Sequence, residues 1–164
     1  MRATIRLCIA YIEVKSMEKK ACTFFGHRDC PETIKPKIRE AVIDLIENHG
    51  VIMFYVGHQG NFDRLVRSVL KEVTTAYPEV GYAVVLAYIP PTKVANLSED
   101  FSDTMLPEGI EKVPKRYAIP WRNRWMIARA DYVVTYVTLP YGGAAKAKIL
   151  AKKMHRTIFE LTAL

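Results

Sequence analysis

Residues 51–63, VIMFYVGHQGNFD, carry the pattern on which the prediction of the fold depends. Six apolar or aromatic residues without alternation are typical of a strand that is covered on both faces of its sheet. The strand stops at Gly57, and Gly60 opens a segment in which apolar residues recur at helical spacing. The stretch therefore predicts a buried strand, a turn with two glycines and an amphipathic helix that ends near Tyr77-Pro78.

The same alternation of strand and helix continues in both directions along the chain. An apolar helical face begins at Ile34, and Gly50 lies where a C-terminal glycine cap belongs. A short helix is expected after Pro120 and another after Gly142-Gly143, whereas 92–114 is expected to be a long excursion with one helical turn. The predicted strands are 21–26, 51–56, 81–89, 131–139 and 156–164. This order predicts an α/β fold, a three-layer sandwich with a mainly parallel sheet of about five strands.

Composition narrows the class of partner more than the class of fold. The chain has 164 residues, which suits one domain, and its net charge of +7 favours anionic partners such as nucleotides or nucleic acid. A basic surface without a specific partner fits the charge equally well. Cys8, Cys22 and Cys30 suggest free thiols in a reducing cytoplasm, and their spacing around His27 predicts no metal site.

The N-terminal segment is treated separately from the domain. Its apolar core, LCIAYI, is too short for a membrane span or a signal peptide, and Met17 begins a natural-looking start. Residues 1–16 are expected to be an extension, either non-native or an added edge strand. Residues 17–164 are expected to form a single domain, with no membrane partner.

Candidate ligand-binding residues follow the ends of the predicted strands. In an open parallel sheet the ligand crevice lies beyond those ends, and a helix that begins there presents unpaired N–H groups to a phosphate. Arg28 adds a guanidinium suited to bidentate anion contact. The predicted binding residues are Gly26, His27, Arg28, Gly57, Gln59, Gly60, Asn61, Asp63, Gly142 and Gly143.

Several of these residues have two interpretations that the sequence leaves open. His27 and His58 either form internal or surface hydrogen bonds or contact phosphate or ribose directly. Asp63 either orients a ribose hydroxyl or complements the N-terminus of its own helix. Trp121 and Trp125 share a helical face, which suits packing in the core better than stacking on a base.

Four separated motifs in order along the chain together resemble the SLOG superfamily, in particular its small bacterial YpsA-like proteins. The motifs are TFFGHR, the G-x-Q-G-x-F-D turn, RNRWMIARADYVVTYV and the double glycine to which it leads; the resemblance covers 21–160. It implies a Rossmann-like fold, a bacterial cytoplasmic protein, and nucleotides or nucleotide-derived ligands in the crevice. The superfamily includes the Lonely Guy phosphoribohydrolases and the DNA-processing protein.

Comparison with the Lonely Guy branch adds residues to the candidate site, but this chain lacks the catalytic carboxylate of that branch. Its arginine-lysine pair corresponds to Arg122-Asn123, and its glutamate corresponds to Ile149. An oxocarbenium-like transition state needs a carboxylate nearby, and isoleucine supplies none. The resemblance therefore implies ligand contacts from Arg122, Asn123 and Lys146, with Arg122 as the catalytic candidate. Asp63, Asp29 or Glu108 would have to replace the glutamate.

The sequence thus predicts a binder of a nucleotide or ADP-ribose-like ligand, acting as a sensor or regulator with no required cofactor. A single-stranded nucleic-acid-binding protein is the alternative, favoured by the basic stretch 112–129. A nucleotide N-glycosidic hydrolase with non-standard catalytic residues is a further one. A homodimer is compatible with the family style but no residue requires it.

Overall fold

The computed structural model describes residues 19–89 and 103–162, which form one parallel sheet with helices on both faces. The strands are β1 Lys20–Gly26, β2 Val51–Val56, β3 Gly81–Val85, β4 Thr104–Met105, β5 Tyr132–Tyr136 and β6 Thr157–Glu160. The helices are α1 Lys35–His49, α2 Gly60–Ala76, α3 Lys115–Arg129 and α4 Gly143–Lys153, with short 3-10 turns at Glu32–Ile34 and Ile110–Lys112. The predicted α/β class and three-layer arrangement are confirmed.

The sheet has six strands in the described residues, in the order β4-β3-β2-β1-β5-β6, and every pair is parallel. The additional strand, β4, lies in the stretch predicted as an excursion. It has only two residues, too few to show an apolar period in sequence. In the described part of that stretch, a 3-10 turn at Ile110–Lys112 matches the expectation of a helical turn.

Side chains alternate between two apolar layers along the central strand β1. Phe24 packs in the layer with α1 and α2, where its ring stacks on Phe54 with centroids 5.8 Å apart. Phe25 faces the layer of α3 and α4 and packs with Met126 and Val133. Burial on both faces explains why these strands contain unbroken apolar runs.

Helix α3 begins at Lys115, six residues before Trp121, where a helix after Pro120 would start. Pro114 precedes its first turn, with its carbonyl accepting the N–H of Tyr117 at 2.8 Å, and Pro120 lies inside the helix. A proline within a helix costs one intrahelical hydrogen bond, but packing of the helix outweighs that cost here. Pro120 therefore does not mark the start of α3. Strand β3 likewise ends at Val85 rather than at Ile89.

The strand order fixes where a ligand crevice can form. The chain proceeds from β1 outward to β4 and then returns to place β5 on the other side of β1. The connectivity therefore reverses between β1 and β5, and a crevice opens beyond their carboxyl ends. The loops after these two strands carry Gly26-His27-Arg28 and Thr138–Gly143.

Some of the sequence predictions concern residues outside the described ranges, namely the N-terminal segment 1–16, Cys8 and the Pro90-Pro91 strand stop. Cys22 and Cys30 are buried free thiols, and burial raises the pKa of Cys30 to about 11. Within residues 19–89 and 103–162, no helix is both long and apolar enough to cross a membrane.

Candidate functional site: a cavity at the strand ends

A cavity of about 340 Å³ lies where the sheet order reverses. Its walls come from the end of β1, the β2–α2 turn, one face of α3 and the first turn of α4. The volume falls within the range of small-molecule sites, about 300–1,000 Å³. Three loops that are distant in sequence therefore converge on one concave surface, as the strand-end pattern predicts.

Most of the predicted site residues line this cavity. Those lining it are Gly26, His27, Arg28, Gly57, Gln59, Asp63, Arg122, Asn123, Gly142 and Gly143. Gly60, Asn61 and Lys146 do not line it. Binding by any of these residues remains a prediction, because their position in a cavity does not identify a ligand.

Asn61 and Gly60 have structural partners instead. The backbone N–H of Asn61 donates to the Arg28 carbonyl at 2.9 Å, and its Nδ2 donates to the Cys30 carbonyl at 2.6 Å. Gly60 has φ +84°, and an added Cβ would lie 2.7 Å from the Arg28 Cα. These contacts join the β2–α2 turn to the loop after β1, so both residues hold together two loops that form the cavity without lining it themselves.

His27 connects the two loops that flank the crevice. Its Nε2 accepts the backbone N–H of Thr138 at 2.9 Å and that of Leu139 at 3.1 Å. Its own backbone N–H donates to the Tyr136 carbonyl at 3.3 Å. The structure thus supports the internal hydrogen-bonding interpretation of His27. His58 is half-buried in the β2–α2 turn and does not line the cavity.

A buried carboxylate and a buried guanidinium form the floor of the cavity around Gly57. Asp63 is 7% exposed and Arg122 is 3% exposed. An added Cβ on Gly57 would lie 2.5 Å from Asp63 Oδ2 and 2.8 Å from Arg122 Nη1, so only glycine fits between them. Arg122 also donates to the Val85 carbonyl at 2.8 Å, and its Nε donates to Asn123 Oδ1 at 3.0 Å.

Burial dominates the electrostatics of this pair. It raises the pKa of Asp63 above its ordinary value, although the nearby Arg122 guanidinium and the Gln59 N–H oppose the shift. Burial also lowers the pKa of Arg122, which Asp63 opposes. Arginine remains charged in proteins even so, which places a fixed positive charge beneath the cavity.

The two helices that begin at the cavity, α2 and α4, differ in whether a side chain caps their first N–H groups. The Asp63 carboxylate reaches back to the Gln59 N–H at 2.9 Å and caps α2 from within its first turn. Helix α4 instead begins at Gly143, directly after Gly142, and a Cβ built on either glycine would meet no atom within 4 Å outside its own chain neighbours and helix backbone. The first amides of a helix have no intrahelical partner. The N-terminus of α4 therefore has no side-chain cap and has open space around its first two glycines.

The three carboxylates that could replace a catalytic glutamate differ in whether they line the cavity. Among the described cavity-lining residues, Asp63 is the one carboxylate. Asp29 and Glu108 are exposed and lie outside the lining, and Ile149 is a 52% exposed residue on α4. Helix α4 itself carries no acidic residue in its first turn.

The apolar wall of the cavity was not predicted from the sequence. Ile119 and Met126 lie on the same face of α3 as Arg122 and Asn123, with spacing i, i+3, i+4, i+7. That spacing is visible in the sequence once Arg122 is placed in a site. The two tryptophans of α3 lie elsewhere: the Trp125 ring packs edge-on to Tyr55, 5.6 Å between centroids, and neither Trp121 nor Trp125 lines the cavity.

The fold and cavity together define an α/β protein of Rossmann-like arrangement with a crevice at its topological switch point. Two solved structures share this fold. DNA processing protein A from Streptococcus pneumoniae matches with a TM-score of 0.62 and 12% identity, covering 90% of this chain and 52% of that one. DNA processing protein A from Helicobacter pylori, which binds single-stranded DNA, matches with a TM-score of 0.58 and 18% identity, covering 93% of this chain and 70% of that one.

At these identities the likeness shows the fold, and it is consistent with the relation to the SLOG superfamily predicted from the sequence. The chain spans about half the length of the Streptococcus pneumoniae protein. No protein-family model and no curated protein sequence matches it.

Proposed function

We propose that the strand-end cavity binds the phosphate and ribose of a nucleotide or nucleotide-derived ligand, such as an ADP-ribose-like molecule, and that the protein acts as a sensor or regulator. The observation that carries this proposal is the open N-terminus of α4. Gly142 and Gly143 leave its first amides accessible inside a cavity of about 340 Å³. A helix N-terminus with its dipole and free N–H groups is a ready phosphate site.

The other polar groups of the cavity indicate where the phosphate and the sugar of the ligand would lie. Arg28 is exposed at the rim beside Gly60 of the β2–α2 turn, and it adds positive charge to the cavity as a whole without favouring the α4 end. The Asp63 carboxylate repels phosphate but accepts hydrogen bonds from hydroxyl groups. The phosphate therefore lies at the α4 end and the sugar at the end formed by Gln59, Asp63 and Asn123.

Binding without hydrolysis agrees best with these contacts. Cleavage of an N-glycosidic bond needs a carboxylate free to stabilise charge or activate water. Asp63 already accepts the Gln59 N–H and lies beside Arg122, so its carboxylate serves the fold. Hydrolysis with Asp63 as its carboxylate is accordingly the weaker alternative.

A ligand screen with one matched glycine variant tests the proposal. AMP, ADP-ribose, NAD and cyclic nucleotides are added to the protein at two salt concentrations, and the thermal midpoint is measured. A ligand that binds the native state raises the midpoint by mass action. Gly143→Ala should keep the stability of the free protein, because its Cβ meets no atom within 4 Å.

The same substitution places a methyl group where the phosphate must approach the α4 amides. We expect Gly143→Ala to weaken binding by at least about tenfold, roughly 1.4 kcal/mol. Ile149→Ala, which also raises helix propensity on the same helix but lies exposed and outside the cavity lining, serves as the control. No midpoint shift with any nucleotide, or unchanged affinity in Gly143→Ala, would contradict the proposal.

Single-stranded nucleic acid is the second candidate, and the fold shared with the Helicobacter pylori protein favours it. Tyr141 is 67% exposed immediately before the open α4 N-terminus, which suits stacking on a base beside a bound phosphate. Exposed basic residues on α3, Lys115, Arg116 and Arg124, add charge for a polyanion. Binding of oligonucleotides that falls steeply with salt, without any response to nucleotides, would establish this alternative instead.

A further inference from the structure

His27 holds in place the loop that delivers the open helix N-terminus. Thr138 and Leu139, whose amides donate to His27 Nε2 at 2.9 and 3.1 Å, begin the loop that reaches Gly142 and Gly143. Within that loop Leu139 is 43% exposed and Tyr141 is 67% exposed. Since every residue from Thr138 to Gly143 is exposed, packing contributes less to the position of the loop, and hydrogen bonds to its backbone matter more.

The geometry also assigns the protonation state of the imidazole. A ring nitrogen that accepts two N–H groups carries no proton, so His27 is neutral, with its hydrogen on Nδ1. Protonation would turn Nε2 into a donor facing two other donors. Both hydrogen bonds would then be lost, and the loop would lose its attachment to the end of β1.

We propose that His27 is a positioning residue of the anion site: its neutral imidazole orients the Thr138–Gly143 loop and therefore the α4 N-terminus, without binding the phosphate through Nε2. This inference rests on the proposed function for its effect on ligand affinity. It also predicts an unusual pH dependence, because acidification adds positive charge beside the cavity and yet weakens anion binding. A histidine in direct contact with phosphate would strengthen binding on acidification instead.

Other charged or titratable groups lie on the elements that form the cavity and must be separated from His27. They are Arg28 and Asp29 on its own loop, Tyr141 and Lys146 after β5, Asp63 and Arg122 across the cavity, and His58 on the β2–α2 turn, whose charge acts on Asp63. Variants at position 27 isolate the imidazole from all of these. His27→Gln retains an acceptor at a similar reach and does not titrate, whereas His27→Leu has no acceptor.

The binding test uses ADP-ribose as its probe, because its pyrophosphate has no monoester group to titrate near neutral pH. Affinity is measured by calorimetry between about pH 5.5 and about pH 8, the range in which histidine changes charge. The wild type should lose at least about tenfold in affinity on acidification, His27→Gln should show a much flatter profile, and His27→Leu should bind weakly throughout. Affinity that rises on acidification, or wild-type affinity in His27→Leu, would overturn the inference.

A ligand-free measurement separates this inference from the proposed function. Nitrogen NMR of the wild type at neutral pH should show the neutral ring with its proton on Nδ1. The Thr138 and Leu139 amides should exchange slowly in the wild type and His27→Gln but quickly in His27→Leu. Thermal unfolding confirms that each variant is folded. If ADP-ribose does not bind the wild type, the proposed function fails on that ligand, while a proton on Nε2 or slow exchange in His27→Leu refutes the role of His27.

Discussion

The ring of Phe62 lies directly against Gly26, so that a Cβ added to this glycine would fall 2.2 Å from the Phe62 Cγ. Gly26 is the last residue of β1, and Phe62 is a fully buried residue in the first turn of α2. The contact brings the end of the central strand against the helix that follows β2. Because the loop after Gly26 forms one wall of the cavity, this contact also sets the position of that wall.

Gly26→Ala should therefore destabilise the protein through overpacking, by about 1–3 kcal/mol in the free energy of unfolding. Urea unfolding of the purified variant measures this quantity. The double variant Gly26→Ala/Phe62→Leu provides the control, because the smaller side chain leaves room for the methyl group. If Gly26→Ala costs as much stability in the Phe62→Leu background as in the wild type, the predicted clash is absent.

Arg122→Met should cost about 3–5 kcal/mol of stability, since it leaves the buried Asp63 carboxylate without its neighbouring positive charge. It also removes the donor to the Val85 carbonyl. Chemical unfolding of Arg122→Met, Asp63→Asn and the double variant forms a cycle that measures the coupling. The double variant should be less destabilised than the sum of the single variants, and simple additivity would argue against an interaction between these side chains.

The pH dependence of stability should differ between the wild type and Asp63→Asn. Burial raises the pKa of Asp63 in the folded state above its unfolded value, so the folded state binds more protons in the window between the two. The stabilising contribution is thus fully present below the unfolded pKa and is lost as the pH rises through the folded pKa. Measured across the acid range, the free energy of unfolding of the wild type should increase relative to that of Asp63→Asn as the pH falls. The opposite slope would mean that the effect of Arg122 on the pKa of Asp63 outweighs burial.

Pro120→Ala should stabilise the protein, because Pro120 lies within α3 and is exposed. Alanine restores an N–H to the helix and removes the ring clash, an advantage of up to about 3 kcal/mol in helix propensity. The greater flexibility of the unfolded alanine variant offsets about 0.4–1 kcal/mol of this gain. The thermal midpoint should rise. A midpoint that falls would show that the proline is accommodated by a local distortion that alanine does not relieve.

The apolar pattern predicted the layers of the fold well and the limits of its elements less well. VIMFYV and the stripe from Phe62 to Val73 specify a strand and a helix because burial dictates their periods. The two-residue strand β4 is too short to have a period. The helix around Pro120 contradicts the local propensity of proline, and its packing against the rest of the fold outweighs that propensity.

The site was predictable to the extent that strand ends converge in a parallel sheet. This topological rule placed Gly26, Gly57 and Gly142 at one cavity. It could not determine which polar groups face the cavity and which bond within the protein. The side chain of Asn61 bonds to the Cys30 carbonyl, and the ring of His27 bonds to loop amides, through contacts that depend on the three-dimensional packing.

The cap that Asp63 forms on α2 makes the cavity asymmetric in its charge preference. Its carboxylate is an anion of the protein itself and occupies the N-terminus of α2, where a second phosphate could otherwise bind. A ligand with anionic groups at both ends would meet repulsion at one of them. On the proposed function, the cavity should thus favour ligands that place hydroxyl groups rather than a second anionic group beside Asp63, as the ribose of ADP-ribose can, and this selectivity would follow from a residue that completes the fold.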